Sequence, residues 1–433
     1  MRIIILHMET NEQSPAIAHF NRDLIWNLVS TVVLAVGGLL FSVLIALFYE
    51  PTSLGVFNQA HAYYVLFSQF AVMGVHIATG KYTAEHHLDA DLTQRYLWTG
   101  LLCALCTSIV CFLILGGGIV AFGLLQKSDV WFATFLTILA LPLFSVNKVA
   151  LSYLNGLSRM RAYAVFQAMR PILIVLTILA CSLLSIPGKY LSSAFFVAEL
   201  ILTITFFLYI AVCRIPIARP RLDLAKELLR FGVYIFPGNL ILEFNTRIDI
   251  IVLGLFTGND YLVGIYSFAA LFAEGFYQLF VVVRRIINPK ITQAYSNQDG
   301  LKERLEAIIA PPKKYLRVGA PAASVLLVAG YYAACYVLHR EPYLAATIPL
   351  AILTLSIALN SRNICLGNLL SDIGKPKAES LVNLIAAAVN FGLNCALVPF
   401  FGIIGSAVAT GISYFVFAFV QRKLFIRHLG YTL

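Results

Sequence analysis

Residues 228–268 read LLRFGVYIFPGNLILEFNTRIDIIVLGLFTGNDYLVGIYSF. The first thirty or so are long enough, at about 1.5 Å each, to cross a bilayer with tilt to spare. Glu243, Arg247 and Asp249 nevertheless fall near the middle of that run. A charge at such depth costs roughly 2.5–3.5 kcal/mol on insertion scales, so each must find a partner or water. Pro237-Gly238 predicts an interrupted helix, tolerated in a membrane only where neighbouring helices or cavity water satisfy the freed backbone groups. Such a segment cannot face lipid all round. It lines an interior polar space, and that space is the candidate site. Glu243 and Arg247 stand one turn apart, so mutual neutralisation is the simplest alternative to a role in binding.

The rest of the chain agrees with a membrane setting. Of 433 residues, 60% are hydrophobic and 12% charged, against about 25% charged in ordinary soluble domains. Eight cysteines (Cys103, Cys106, Cys111, Cys181, Cys213, Cys335, Cys365, Cys395) fall within or at the ends of apolar segments, which argues against a disulfide framework. Cys103 and Cys106 have CxxC spacing but no basic or polar neighbourhood, and read as packing residues. The start, MRIIILHMETNEQ, has too short an apolar run for a signal-peptide core. The first span is expected to stay in the chain, with Met1 or Met8 as initiator.

Twelve spans are expected, at about 24–48, 56–79, 97–125, 130–153, 162–185, 190–213, 228–257, 263–288, 315–338, 343–369, 378–400 and 403–425. Their connections alternate. One set is short and holds only Lys127, Lys189 and Arg340 as basic residues. The other carries the remaining loop cations, clustered at Arg214–Arg230 and Arg284–Arg317. The positive-inside rule then places both termini in the cytoplasm. It also accounts for the net charge of +10 as a topology signal and an attraction to anionic headgroups, without nucleic acid. Residues 214–227 read as a cytoplasmic linker between an amino-terminal lobe (1–213) and a carboxy-terminal lobe (228–433). GLKERLEAII, in the stretch 291–314, reads as a short charged helix on the membrane surface.

The two lobes look repeated. EPTSLGVF (50–57) and NDYLVGIY (259–266) occupy the same place in each, about 209 residues apart. SVNKVALSYLNGL and ALNSRNICLGNLL match at roughly 213. Six spans per lobe, an even number, makes the repeats parallel, related by an axis along the membrane normal with the site at their interface.

Three stretches resemble the polysaccharide transport (Wzx-type) family of lipid-linked oligosaccharide flippases, within the multidrug/oligosaccharidyl-lipid/polysaccharide (MOP) superfamily. They are LGVFNQAHAYYVLFSQFAVMGVHIATGKYTAE (54–85), IDIIVLGLFTGNDYLVGIYSF (248–268) and NLLSDIGKPKAESLVNLIAAAVNFGLNCALVPFFGIIGSAVATGIS (368–413). The resemblance implies an all-α protein of two six-helix lobes around a central cavity that opens alternately to either side. It implies a secondary transporter rather than an enzyme. The cargo would be a polyprenyl-pyrophosphate carrying an oligosaccharide, on a lipopolysaccharide or exopolysaccharide route, in a bacterial inner membrane. Membrane lipids, H+ or Na+ and a polysaccharide polymerase would be its partners, with no cofactor and no metal.

A pyrophosphate and its sugars cannot cross about 30 Å of hydrocarbon unaided. A cationic, water-filled passage lowers that barrier, and guanidinium forks suit phosphate oxygens. Four cations lie within the expected spans: Lys148, Arg170, Arg247 and Arg362. Lys148, Arg170 and Arg362 lie roughly 7–12 Å inside the cytoplasmic boundary, with Lys148 and Arg362 facing one another under the internal axis. These three are expected to take up the pyrophosphate, and the deeper Arg247 to receive it in transit. Snorkelling to the headgroups is the competing account. Four acids balance them: Glu199, Glu243, Asp249 and Glu274. Asp249 reads as a partner for an arginine, and Glu274, in AALFAEGFYQLF, as a costly carboxylate suited to proton coupling. His61 and His76 read as packed residues; Asn27, Asn58, Gln59 and Gln69 suit sugar hydroxyls or helix contacts.

Two other functions compete with this one. A multidrug antiporter of the same superfamily would place an acid among the first helices, but 24–48 carries no charge at all. A membrane polymerase or ligase would need a sizeable outward catalytic loop, and the outer connections are short.

Overall fold

The computed structural model describes residues 15–126, 128–295 and 300–429. The two candidate initiators, Lys127 and the side chains of Arg22 and Asn27 lie outside the described residues. Every regular element within them is helical. The chain runs α1 (Pro15–Phe48), α2 (Pro51–Val72), α3 (Val75–Glu85), α4 (Ala90–Ala121), α5 (Asp129–Leu139), α6 (Leu141–Gly156), α7 (Met160–Leu183) and α8 (Ser193–Val212). It continues with α9 (Leu222–Thr257), α10 (Asp260–Tyr295), α11 (Leu301–Val337), α12 (Thr347–Leu359), α13 (Ser361–Cys365), α14 (Leu369–Asp372) and α15 (Pro376–Leu429).

Eight of these helices are long and apolar enough to cross a membrane, or ten if α2 with α3 and α5 with α6 are bent single spans. Gly402, at φ 51 and ψ −128, breaks α15 into two passes. The remaining pass is α9, less apolar because it carries Glu243, Arg247 and Asp249. Among the described residues the helices can thus be matched with the twelve expected spans, eight to ten of them by apolar length alone. Local chemistry sets their ends. Pro51 opens α2, where its missing N–H is no loss. The Asp89 and Ser128 side chains accept the Leu92 and Val130 amides at 3.0 and 3.1 Å. Gly258 closes α9 in the left-handed region.

The repeat is visible as a contact. A Cβ on Gly55 would strike the Asp260 carbonyl, and a Cβ on Gly264 would strike the Pro51 carbonyl. These are the same two positions exchanged between lobes, so the internal axis passes between α2 and α10. Beside it the Asn58 amide donates to the Ser267 hydroxyl at 2.8 Å, across a separation of 209 residues. Glycine is required at both places because nothing larger lets the two backbones approach so closely. The lobes repeat at their outer helices as well: α1 packs mainly on α7, and its counterpart α9 mainly on α15.

Three local expectations are corrected, and two bends are added to them. Span two is bent by 52° where Met73 and Gly74 both take positive φ, and span four by 44° at Ala140. Conversely α9 runs unbroken through Pro237. It begins at Leu222, inside the expected linker, and that stretch is held on the amino-terminal lobe: the Tyr96 hydroxyl donates to Glu227 at 2.9 Å and the Arg221 amide to Thr99 at 3.2 Å. Finally, GLKERLEAII does not lie apart on the surface. It is the first part of α11, whose 37 residues extend about 55 Å, well beyond a bilayer core of about 30 Å. Leu301, Leu305 and Ile309 are buried in one apolar cluster with Ile287, Ile291 and Ala294 of α10.

Replacing Asn58 and Ser267 by cysteines in a background without other cysteines should allow cross-linking by a short bis-methanethiosulfonate. Adding Gly55→Val should abolish the cross-linked band, since the two helices can then no longer close.

Candidate functional site

A polar cavity of about 170 Å³ lies between the two lobes. Ser68, Gln69, Val72, His76 and Ile77 line it from α2 and α3, Phe144 and Lys148 from α6, and Asn239, Leu242 and Glu243 from α9. The bend at Met73–Gly74 shapes one wall, because it lets span two present side chains from both of its segments. On the amino-terminal side of Asn239 along α9, the lobes meet where a Cβ on Gly74 would strike the Gly232 backbone and a Cβ on Gly232 the Met73 carbonyl. The Phe70 and Phe236 rings meet edge to face nearby, 5.1 Å apart.

Two of the expected cations share one aromatic ring here. The Lys148 ammonium lies 5.4 Å and the Arg170 guanidinium 4.6 Å from the centroid of Phe144, both within cation–π range. Arg170 is also ion-paired to Glu199 at 2.7 Å, with the Glu199 side chain 2% exposed. Asn147 donates to the same carboxylate at 2.7 Å, and the Tyr64 hydroxyl approaches it at 3.5 Å. Thr203 bonds the Asn147 oxygen at 3.2 Å. Glu199 is therefore saturated by its own lobe. The ion pair offsets both charges, while Arg170 Nη2 stays buried without a hydrogen-bond partner; Lys148 is the amino-terminal lobe's cation on the cavity wall.

The carboxy-terminal lobe holds a second buried network. Tyr266, fully buried, donates to Asp249 at 2.8 Å. The Ile250 amide reaches the other carboxylate oxygen at 2.9 Å. Close by, Ser406 donates to the Asn394 amide oxygen at 2.8 Å and Asn394 to Asn390 at 2.9 Å, while Thr410 and Asn245 reach Asn390 at 3.4 and 3.3 Å. Side-chain interactions of Tyr266 with Ser406 and Thr410 join the two parts. One carboxylate among amide and hydroxyl oxygens is a donor set of the kind hard cations take. Among the described residues no group of three or more His, Cys, Asp or Glu could hold a metal.

The other expectations fare unevenly. Glu243 and Arg247 are not among the ion pairs of the described residues. Glu243 turns instead to the cavity, close enough to Lys148 for their charges to interact. The Arg247 Nε is buried without a hydrogen-bond partner, and this side chain lies in electrostatic range of His61. Asp249 is hydrogen-bonded to a tyrosine, and the Arg247 charge also acts on it. Glu274 is exposed on α10, and its charge acts on Tyr414. Arg362 does not face Lys148: it is absent from the cavity lining and lies near Arg422, whose charge opposes its own.

Sequence reasoning passed over Asn239, Asn390 and Asn394. Their signal was available, since NFGLN puts two amides one turn apart in an otherwise apolar span, where polar groups join helices or line cavities.

Comparison with known proteins places this geometry. A family model described as "Polysaccharide biosynthesis protein" matches residues 20–295. An uncharacterized membrane protein of Methanocaldococcus jannaschii is 23% identical over 416 residues, 90% of this chain and 81% of that one. Among solved structures, the lipid II flippase MurJ in an inward closed conformation superposes with a TM-score of 0.72 at 14% identity, covering 93% of this chain and 87% of that one. An inward-facing multidrug resistance MATE family transporter of the MOP superfamily gives 0.65 at 13% identity, with 91% and 94% covered.

Removing one member of the Arg170–Glu199 pair should destabilise the purified protein by roughly 3–5 kcal/mol, because the survivor stays buried and unpaired. Thermal unfolding should show Arg170→Met and Glu199→Leu each melting well below the parent. The double variant should recover most of the loss.

Proposed function

Because the chain belongs to the polysaccharide biosynthesis protein family, we propose that it flips a polyprenyl-pyrophosphate-linked oligosaccharide from the cytoplasmic to the outer leaflet by alternating access. The observation that carries this reading is the polar inter-lobe cavity with Lys148 on its wall and Arg170 behind it. A lipid-linked phosphate needs a cation at membrane depth, and the neutral Ser68, Gln69 and Asn239 around it suit sugar hydroxyls. The lipid tail stays in the bilayer while the head group crosses.

Transport is coupled to H+ or Na+ through the Asp249 network, which unites a carboxylate with amide and hydroxyl oxygens. The protein works in a bacterial plasma membrane with both termini cytoplasmic, handing its cargo to a polysaccharide polymerase. The fold shared with a lipid II flippase supports a lipid-linked cargo. The fold shared with a multidrug transporter supports the alternative of a drug antiporter. That alternative needs a free acid for a cationic drug; Glu199 is already occupied by Arg170, Asn147 and Tyr64, and Glu243, the acid on the cavity wall, faces Lys148.

In proteoliposomes, movement of a fluorescent polyprenyl-pyrophosphate disaccharide should fall about tenfold or more in Lys148→Ala and Arg247→Ala, the loss expected for one charge-assisted contact. Asp249→Asn should remove the response to an imposed ion gradient. Unchanged rates in both cation variants at equal protein levels would overturn the reading.

A further inference from the structure

Lys148 and Glu243 line one cavity from opposite lobes, on α6 and α9. They are close enough for their charges to interact, yet neither belongs to an ion pair within 4.0 Å among the described residues. The remaining polar groups on the wall, Ser68, Gln69, His76 and Asn239, carry no fixed charge. Glu199, the other acid near Lys148, is saturated within its own lobe. The cavity thus holds one cation and one anion that face across the seam without closing on each other.

An ammonium at membrane depth needs a counter-charge even when no cargo is bound. A carboxylate on the opposite lobe supplies one at a distance, and the attraction draws the lobes together on the cytoplasmic side. We propose that Glu243 is the cavity's resident counter-anion, holding Lys148 in the empty transporter and giving it up to the cargo's pyrophosphate. This rests on the flippase reading above and goes further, making Glu243 the residue that sets cargo affinity and signals occupancy. A pyrophosphate carries more charge than a carboxylate and offers more acceptor oxygens, so it wins Lys148. Once it does, Glu243 faces a like charge, and the force across the seam changes sign. That difference between empty and loaded states is what a ligand must have to shift a conformational equilibrium.

The test uses the full chain in nanodiscs, with farnesyl pyrophosphate as probe and calorimetry as readout. Glu243→Gln should bind the probe about tenfold more tightly than the parent, equivalent to about 1.4 kcal/mol. Glu243→Asp should restore parental affinity, and Lys148→Met should erase the gain in the double variant. Without probe, spin labels at Asn155 and Tyr234 should move apart in Glu243→Gln, which a merely structural carboxylate on one lobe would not produce. If the parent binds the probe and Glu243→Gln binds it no better, the counter-anion role is wrong while the flippase reading stands. If neither binds it and both keep the parental fold, the flippase reading falls and this proposal with it.

Discussion

A charge in hydrocarbon must be answered within reach of its own side chain, and the architecture follows from how each of these is answered. Arg170 and Glu199 answer each other inside one lobe, with Asn147 and Tyr64 completing the shell. Asp249 is answered by a tyrosine hydroxyl and a backbone amide in the other lobe. Lys148 and Glu243 remain, facing each other across the seam. Replacing the buried pair by apolar residues is often neutral or better for stability, so its energetic contribution alone does not explain its presence. Its effect on the site is to hold Arg170 behind Phe144 and leave Lys148 forward.

The seam depends on a second constraint, close backbone approach. Glycines at 55 and 264 on one side of the membrane, and at 74 and 232 on the other, let α2, α9 and α10 cross with almost no side chain between them. With no hydrophobic force between helices in lipid, such contacts supply the association. The cavity lies between these two crossings along α2 and α9. The same residues that allow contact therefore define where polar space survives.

Much of this was legible in the residues. Hydropathy and loop charge located the spans, because an apolar segment about twenty residues long has few other uses. The repeat at about 209 residues was readable from two short turns, and Asn58 with Ser267 confirms the offset as a hydrogen bond. Lys148, Arg170 and Glu243 were recognisable as interior charges by the expense of leaving them in lipid. Their partners were not. Which of Lys148, Arg247 or Tyr266 meets a given acid depends on helix rotation, and a rotation error of one residue, about 100°, exchanges one partner for another. Arg362 shows the limit: a matching position in the repeat pointed to the cavity wall, and the side chain is not among the residues that line it. The bend at Gly74 was equally hidden, since a lone glycine in an apolar run carries several meanings.

The reciprocal approach of residues 55 and 264 has an evolutionary corollary. A half-length ancestor pairing with itself would have placed the same glycine on its dyad, so any substitution there would have been suffered in duplicate. Fusion of two copies into one polypeptide lifts that penalty and lets each side drift separately. Asn58 opposite Ser267 shows such drift already under way, one amide and one hydroxyl where a symmetric pair would have matched two identical groups.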